Sequence, residues 1–398
     1  MIKNLLLLFI ITGLISSCNS GSNAKKKVKA VSDEISVLGA LPLKVPVPDD
    51  NPISVEKREL GKLLFFDPIL SGNKDVACAT CHHPEYGFAE SLEISIGVNG
   101  SGLGLSRAFN QPNDIPFVKR NSQTVVNSAF NGLTNGESNV GSQAPMFWDL
   151  RVKSLENQAL EPIKALEEMR GHTYEQSDAL DKVLSRLKQI AAYRQLFREA
   201  FGVENAITKE NLGKAIASYE RTLIGNNSRF DQYMRGNQSI LSRNELDGLN
   251  LFLKDGCTKC HNGPMFSDFK THVMGVADQE KLMIPDDGFE KRYAFRTPSL
   301  RNLRSTYPYM HNGKLKTLEN VLEFYEDLSG GKIANSTIKP EQLDPLTGKL
   351  NVDFKDIPLI VEFLNSLNDE NYDKSIPSNV PSNLMVGGNI NLPKTHQK

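Results

Sequence analysis

Cys78-Ala79-Thr80-Cys81-His82 and Cys257-Thr258-Lys259-Cys260-His261 are the two stretches around which the 398-residue chain is organised. Cys-x-x-Cys-His is the attachment signature of a c-type haem. Two thiols add across the vinyl groups of one porphyrin, and the next residue's imidazole reaches the iron from the proximal side. One occurrence is weak evidence, but two in a chain with five cysteines point to two covalently bound haems. The alternatives are redox dithiols or halves of a zinc site. A dithiol has no need of the following histidine, and zinc would want its ligand pairs closer together in sequence.

Apolar residues make up 39% and charged residues 23%, as in a soluble globular protein, and the length suits about two domains. A formal net charge of −1 argues against nucleic acid as a partner. Residues 1–17 read as a leader: Lys3 is followed by an apolar run, Leu5 to Leu14, too short to span a bilayer. Ile15-Ser16-Ser17-Cys18 resembles a bacterial lipobox, which implies cleavage before Cys18 and lipidation of its thiol. An ordinary secretory signal with an incidental cysteine is the other reading. The polar tether from Asn19 to Lys27 favours the lipoprotein, and Asn19 favours the outer membrane, so a lipid-anchored periplasmic protein is expected. With Cys18 lipidated and four thiols on haem, none remains for a disulfide.

Residues 18–50, punctuated by Pro42, Pro46 and Pro48, read as a linker. Helices are expected from Ser54 to about Phe66, Ser177 to Phe201, and Thr208 to Ile224. Further helices should follow the Ser242/Glu245 capping box and Thr317, and a last one should run from Asp356 to Leu367. Gly97–Gly104 and Asn131–Pro145 read as loops, and no long alternating run suggests a sheet. The expected fold is mainly α, with two cytochrome c-like domains each around one haem. Residues 51–206, completed by 350–372, would form the first domain and 207–349 the second, with 373–398 a disordered tail.

Further motifs resemble the bacterial di-haem cytochrome c peroxidase and MauG family, over roughly residues 45–370. They are Leu64-Phe65-Phe66-Asp67-Pro68, Arg120-Asn121-Ser122, Phe147-Trp148-Asp149-Leu150-Arg151, Glu156-Asn157-Gln158-Ala159 and Glu168-Met169. Arg296 to Asn302 (RTPSLRN) and Pro308 to Gly313 (PYMHNG) complete the set. The resemblance implies that the haem held by His82 is the peroxide-reducing site, with Glu168 as distal carboxylate and Gln158 as distal amide. Trp148, the only tryptophan, would relay electrons from the haem held by His261. Asn121, Thr306 and Pro308 match the ligands of one structural Ca²⁺, a hard ion suited to oxygen donors.

Two positions depart from the common pattern. Where bis-histidine members carry a distal His, this chain has Val98, so the first haem should be open without reductive activation. His83 is too close to His82 to reach the opposite face, which leaves His172 as the other nearby histidine. Where many members ligate the second haem with Met, this chain has Tyr325, with Met310 as the rival sixth ligand; the phenolate would lower the potential. The leading expectation is a peroxidase reducing H₂O₂ with electrons from a small periplasmic cytochrome c or cupredoxin. A MauG-like oxidase of a protein or small molecule is the alternative, and a non-catalytic electron carrier the third reading. A homodimer is left open.

Overall fold

Helices begin where the sequence sets a hydroxyl ahead of an apolar stripe. The computed structural model describes residues 35–136 and 139–391, so the leader and Cys18 lie outside the described residues. Helix α1 (Val55–Phe66) starts where Ser54 accepts from the Lys57 N–H. Helices α2 (Ala179–Gln189) and α3 (Ala191–Phe201) replace the single helix expected from Ser177 to Phe201. The break is Ile190, whose backbone is extended (φ −91°, ψ 115°), and it lets Tyr193 and Phe197 turn inward. Helix α4 (Lys209–Glu220) is capped by Thr208, and α5 (Arg243–Lys254) carries the complete Ser242/Glu245 capping box. Helix α6 (Leu318–Ser329) is capped by Thr317, and α7 is Ile357–Asn365. Strand structure among the described residues amounts to three two-residue antiparallel ladders, so the fold is mainly helical.

Two helix pairs organise the interior. Helix α1 crosses α4 at Gly61, where a Cβ would lie 2.0 Å from the Ala215 carbonyl oxygen. Helix α5 crosses α7 at Gly248 in the same way, 1.9 Å from the Leu359 oxygen. Around the first crossing Leu60, Leu64, Phe65, Leu212 and Ile216 are fully buried, each contributing about 1.5–3 kcal/mol. Around the second, the rings of Phe230, Phe252, Phe266 and Phe363 pack with centroids 5.2–6.1 Å apart.

Three boundaries differ from the sequence reading. Residues 350–367 do not complete the first group, because α7 is wedged against α5 and Phe363 belongs to the second aromatic cluster. The chain crosses back only afterwards, where Tyr372 packs edge-on against Phe88 (5.9 Å). Nor is the described part of the tail disordered. Ser382 donates to Asp67 (2.6 Å), Gly387 N–H to the Phe66 carbonyl (2.8 Å) and Asn389 N–H to the Asp75 carbonyl (2.8 Å). At the other end, the second half of the expected linker is anchored: Leu38 and Leu41 are buried, and Leu41 N–H donates to Asp231 (2.8 Å).

Candidate active site

Each Cys-x-x-Cys-His stretch folds as one tight helical turn, with the histidine N–H closing on the first cysteine's carbonyl (2.9 Å in both). That winding brings residues three apart onto one side, so each turn presents a thiol pair. The four thiols are free. Burial pushes Cys78 and Cys257 up to about 12, and Cys81 well above its ordinary value. A reactive dithiol needs the opposite shift.

The two imidazoles are fixed alike. His82 Nδ1 donates to the Phe88 carbonyl (3.1 Å) and His261 Nδ1 to the Phe266 carbonyl (2.9 Å). A carbonyl only accepts, so the proton sits on Nδ1 and Nε2 keeps its lone pair, as a metal ligand requires. Burial holds both histidines below their ordinary pKa, which favours the neutral ligating form.

One continuous cavity of about 630 Å³ has both motifs on its wall, together with Trp148, Gln158, Glu168, Met310 and Tyr325. Glu168 sits in a π-helical turn, Leu166–Arg170, a local irregularity that re-aims a side chain. Burial, helped by neighbouring Glu167, pushes its carboxyl up to about 7. Trp148 donates from Nε1 to the Asn121 carbonyl (3.0 Å) and lies edge-on to His311 (6.5 Å), which stacks flat on Phe295 (3.5 Å). Tyr325 lies close enough to Cys260 and Cys257 for their charge to act on its phenol, and it makes no hydrogen bond within the described protein. A thiol pair, an imidazole fixed through Nδ1 and an apolar chamber at each motif fit a haem.

A family model described as di-haem cytochrome c peroxidase matches residues 55–239. The methylamine utilization protein MauG of Methylorubrum extorquens is 35% identical over 326 residues, 80% of this chain and 82% of that protein. The chain belongs to the di-haem cytochrome c peroxidase and MauG family. Cytochrome c551 peroxidase of Nitrosomonas europaea is 32% identical over 345 residues, 85% of this chain and 87% of that one. The crystal structure of a MauG-like protein associated with microbial copper homeostasis matches with a TM-score of 0.65 at 26% identity, covering 83% of this chain and 95% of that chain. This member is therefore an oxidoreductase of the peroxidase type that works with haem.

Against the family pattern, the residues fall as follows. Val98 is fully buried in the first core and is tied by its N–H to the Glu168 carbonyl (3.1 Å), away from the cavity wall. His83 also faces away, accepting from the Glu85 N–H, and His172 is exposed beside Asp114 (3.3 Å). Tyr325 and Met310 both reach the wall. Asn121, Thr306 and Pro308 line it too. The Asn121 amide nitrogen is taken by the Leu92 carbonyl (2.7 Å), so these three offer Ca²⁺ neutral oxygens and no carboxylate. A full Ca²⁺ shell of six to eight oxygens needs further donors.

Two wall residues escaped sequence reasoning. Glu220 is buried on α4, its Oε2 has no partner, and burial pushes it up to about 8. Its spacing with Leu212 and Ile216 put it on the apolar stripe, a readable signal of a buried acid. His272 is clamped between Asp268 (3.0 Å), four residues away, and Asp344 (2.7 Å), beside Cys260; only the fold brings in Asp344. With both ring nitrogens taken by carboxylates, it is an ion-pair centre and not an open ligand.

Proposed function

We propose that the protein reduces H₂O₂ to water at the first site, with electrons relayed through the second. What supports this reading is that one cavity has both motifs, Glu168, Gln158 and Trp148 on its wall, and that Glu168 lies close enough to Cys78 and Cys81 for its charge to act on both thiols. Haem bound at Cys78, Cys81 and His82 would supply the iron that binds peroxide and passes it two electrons. Glu168, poised near neutrality, takes the proton from the inner peroxide oxygen and returns it to the outer one as water leaves. Gln158 supplies an amide to orient the peroxide. Trp148, held by the Asn121 carbonyl, offers an aromatic path from the second site, where Tyr325 (or Met310) would complete the iron's coordination. The electrons come from a small cytochrome c or cupredoxin.

The MauG-like oxidase stays as a second reading because the Tyr325 hydroxyl is unengaged beside the second thiol pair and MauG is 35% identical. Further proposals rest on the sequence: a division near residue 206 between two haem domains, a Ca²⁺ held by Asn121, Thr306 and Pro308 with further oxygens, and lipid anchoring through Cys18 in the periplasmic face of the outer membrane. No described helix is long and apolar enough to cross a membrane.

The test is an electron-paramagnetic-resonance and optical titration of the fully oxidised protein with stoichiometric H₂O₂. One high-spin and one low-spin ferric signal are expected, the high-spin one lost on peroxide, and Tyr325→Phe should perturb only the low-spin one. Rapid turnover with a reduced cytochrome would favour the peroxidase over the oxidase. Two low-spin signals inert to peroxide would sink the open-site reading.

A further inference from the structure

Four arginines line the cavity, and three of them are neutralised. Arg120 pairs with Asp286 and Asp149, Arg151 with Asp149 (2.8 Å), and Arg301 with Asp231 (2.9 Å). Arg296 forms no ion pair, although it is only 6% exposed. Its Nη1 donates to the Pro145 carbonyl (3.0 Å) and its Nη2 to Gln123 Oε1 (2.9 Å), while Nε has no acceptor. A guanidinium carries five N–H donors, so most of this one is unused, and its positive charge meets neutral dipoles and the face of the Phe269 ring (5.8 Å) but no anion. Leaving a buried charge uncompensated is costly, so a native structure that does so is missing its counter-ion.

The place of the residue says which anion fits. Its main-chain N–H donates to the Trp148 carbonyl (2.7 Å). The carbonyl of Gln123, whose side chain it holds, acts on His82, and the carbonyl of Pro298, two residues on, acts on His261. Arg296 is therefore linked through Gln123 to the surroundings of His82 and through Pro298 to those of His261, on the wall of a largely apolar chamber. We propose that Arg296 binds a carboxylate there, a propionate of one of the two haems, and so acts as a cofactor-binding residue that fixes that haem's charge balance. This rests on haem occupying both motifs.

A cation beside one haem disfavours its ferric form, so removing it should lower that haem's midpoint potential and leave the other unchanged. The released propionate should also titrate closer to neutrality, adding a pH dependence to that potential. The experiment is spectroelectrochemical titration of holoprotein Arg296→Gln and Arg296→Lys, after haem content is confirmed at two per chain. Arg296→Gln should shift one potential downward and give it a new pH slope, and Arg296→Lys should retain most of the original value. Two unchanged potentials, or equal shifts in both variants, would overturn the proposal. A potential that moves with added chloride or phosphate in the unaltered protein but not in Arg296→Gln would assign the site to a dissolved anion and overturn it as well. Should either variant fail to mature, infrared spectra of the unaltered protein with ¹³C-carboxyl-labelled haem decide. One propionate that stays ionised down to about pH 4 supports the proposal, and four that all titrate normally refute it. Unaltered protein lacking one haem would instead overturn the two-haem reading itself.

Discussion

The two Cys-x-x-Cys-His regions share a helical turn, an imidazole fixed through Nδ1 and a helix pair crossing at a glycine, yet they treat buried acids differently. Near the first motif, Glu90, Glu168 and Glu220 lack cationic partners in direct contact, and burial pushes them up to about 7, 7 and 8. Near the second, Asp231 is paired with Arg301 and Asp268 with His272, and the partner keeps Asp268 below its ordinary value. Asp255 is the exception there: fully buried with only a long pairing to exposed Lys254 (3.7 Å), it is raised by burial. Lone carboxyls near neutrality hold protons that exchange at working pH, whereas paired ones hold fixed charge. That contrast agrees with the proposed reaction, in which protons move at the first site and electrons pass through the second.

The sharpest way to break this comparison is Glu168→Gln. The second-order rate with H₂O₂ should fall by about 10²–10⁴, the range for losing a positioned proton carrier. In the unaltered protein the rate should decline as pH drops through about 7, where Glu168 becomes protonated, and that limb should vanish in the variant. Stopped-flow mixing across pH 5–9 reads both. Retention of full rate and limb would mean the acids of the first region are not its proton store.

A smaller effect sharpens the same contrast through stability. The Glu220 carboxyl is raised from 4.5 to about 8 on folding. Between those values the folded state binds a proton that the unfolded state has lost, so stability falls as pH rises. Glu220→Gln removes the penalty, so its thermal midpoint relative to the unaltered holoprotein should be more favourable at pH 8 than at pH 5. A difference independent of pH would show that Glu220 is not a lone buried acid.

The legible parts of this molecule were those written locally. The capping residues Ser54, Thr208, Ser242 and Thr317 set helix starts because their partners lie three residues away. The haem motifs were legible for the same reason. What stayed hidden depends on long-range backbone pairing. Residues 380–391 are rich in Gly and Asn and lack a helical or strand periodicity, so nothing local announced that their amides and carbonyls would be taken up by Phe66, Asp75 and Thr80. The break at Ile190 was hidden because the apolar stripe runs through it uninterrupted. The neutrality of Arg301 and the lack of it in Arg296 were equally invisible, since RTPSLRN contains both and only the fold supplies Asp231 to one of them.

Each motif is also buttressed by the opposite end of the chain, and this asymmetry allows the smallest and most local test. Thr80, inside the first motif, accepts from the Ala77 N–H (2.9 Å) and donates to the Gly387 carbonyl (2.7 Å). Arg107 adds a bond to the Asn389 carbonyl (3.1 Å), tying the C-terminal segment to the loop that carries Val98. The second motif is held from the N-terminal side, where the Gly263 N–H donates to the Val37 carbonyl (2.8 Å) and Arg301 to the Gly39 carbonyl (3.2 Å). Thr80→Val keeps the shape but removes both hydroxyl bonds, a net cost of about 0.5–1.5 kcal/mol for each. Hydrogen exchange should accelerate at the Gly387 and Asn389 amides, which close on Phe66 and Asp75, while the Gly263 amide stays as slow as before. Equal acceleration at both ends would mean that the termini do not guard separate motifs but report one global opening.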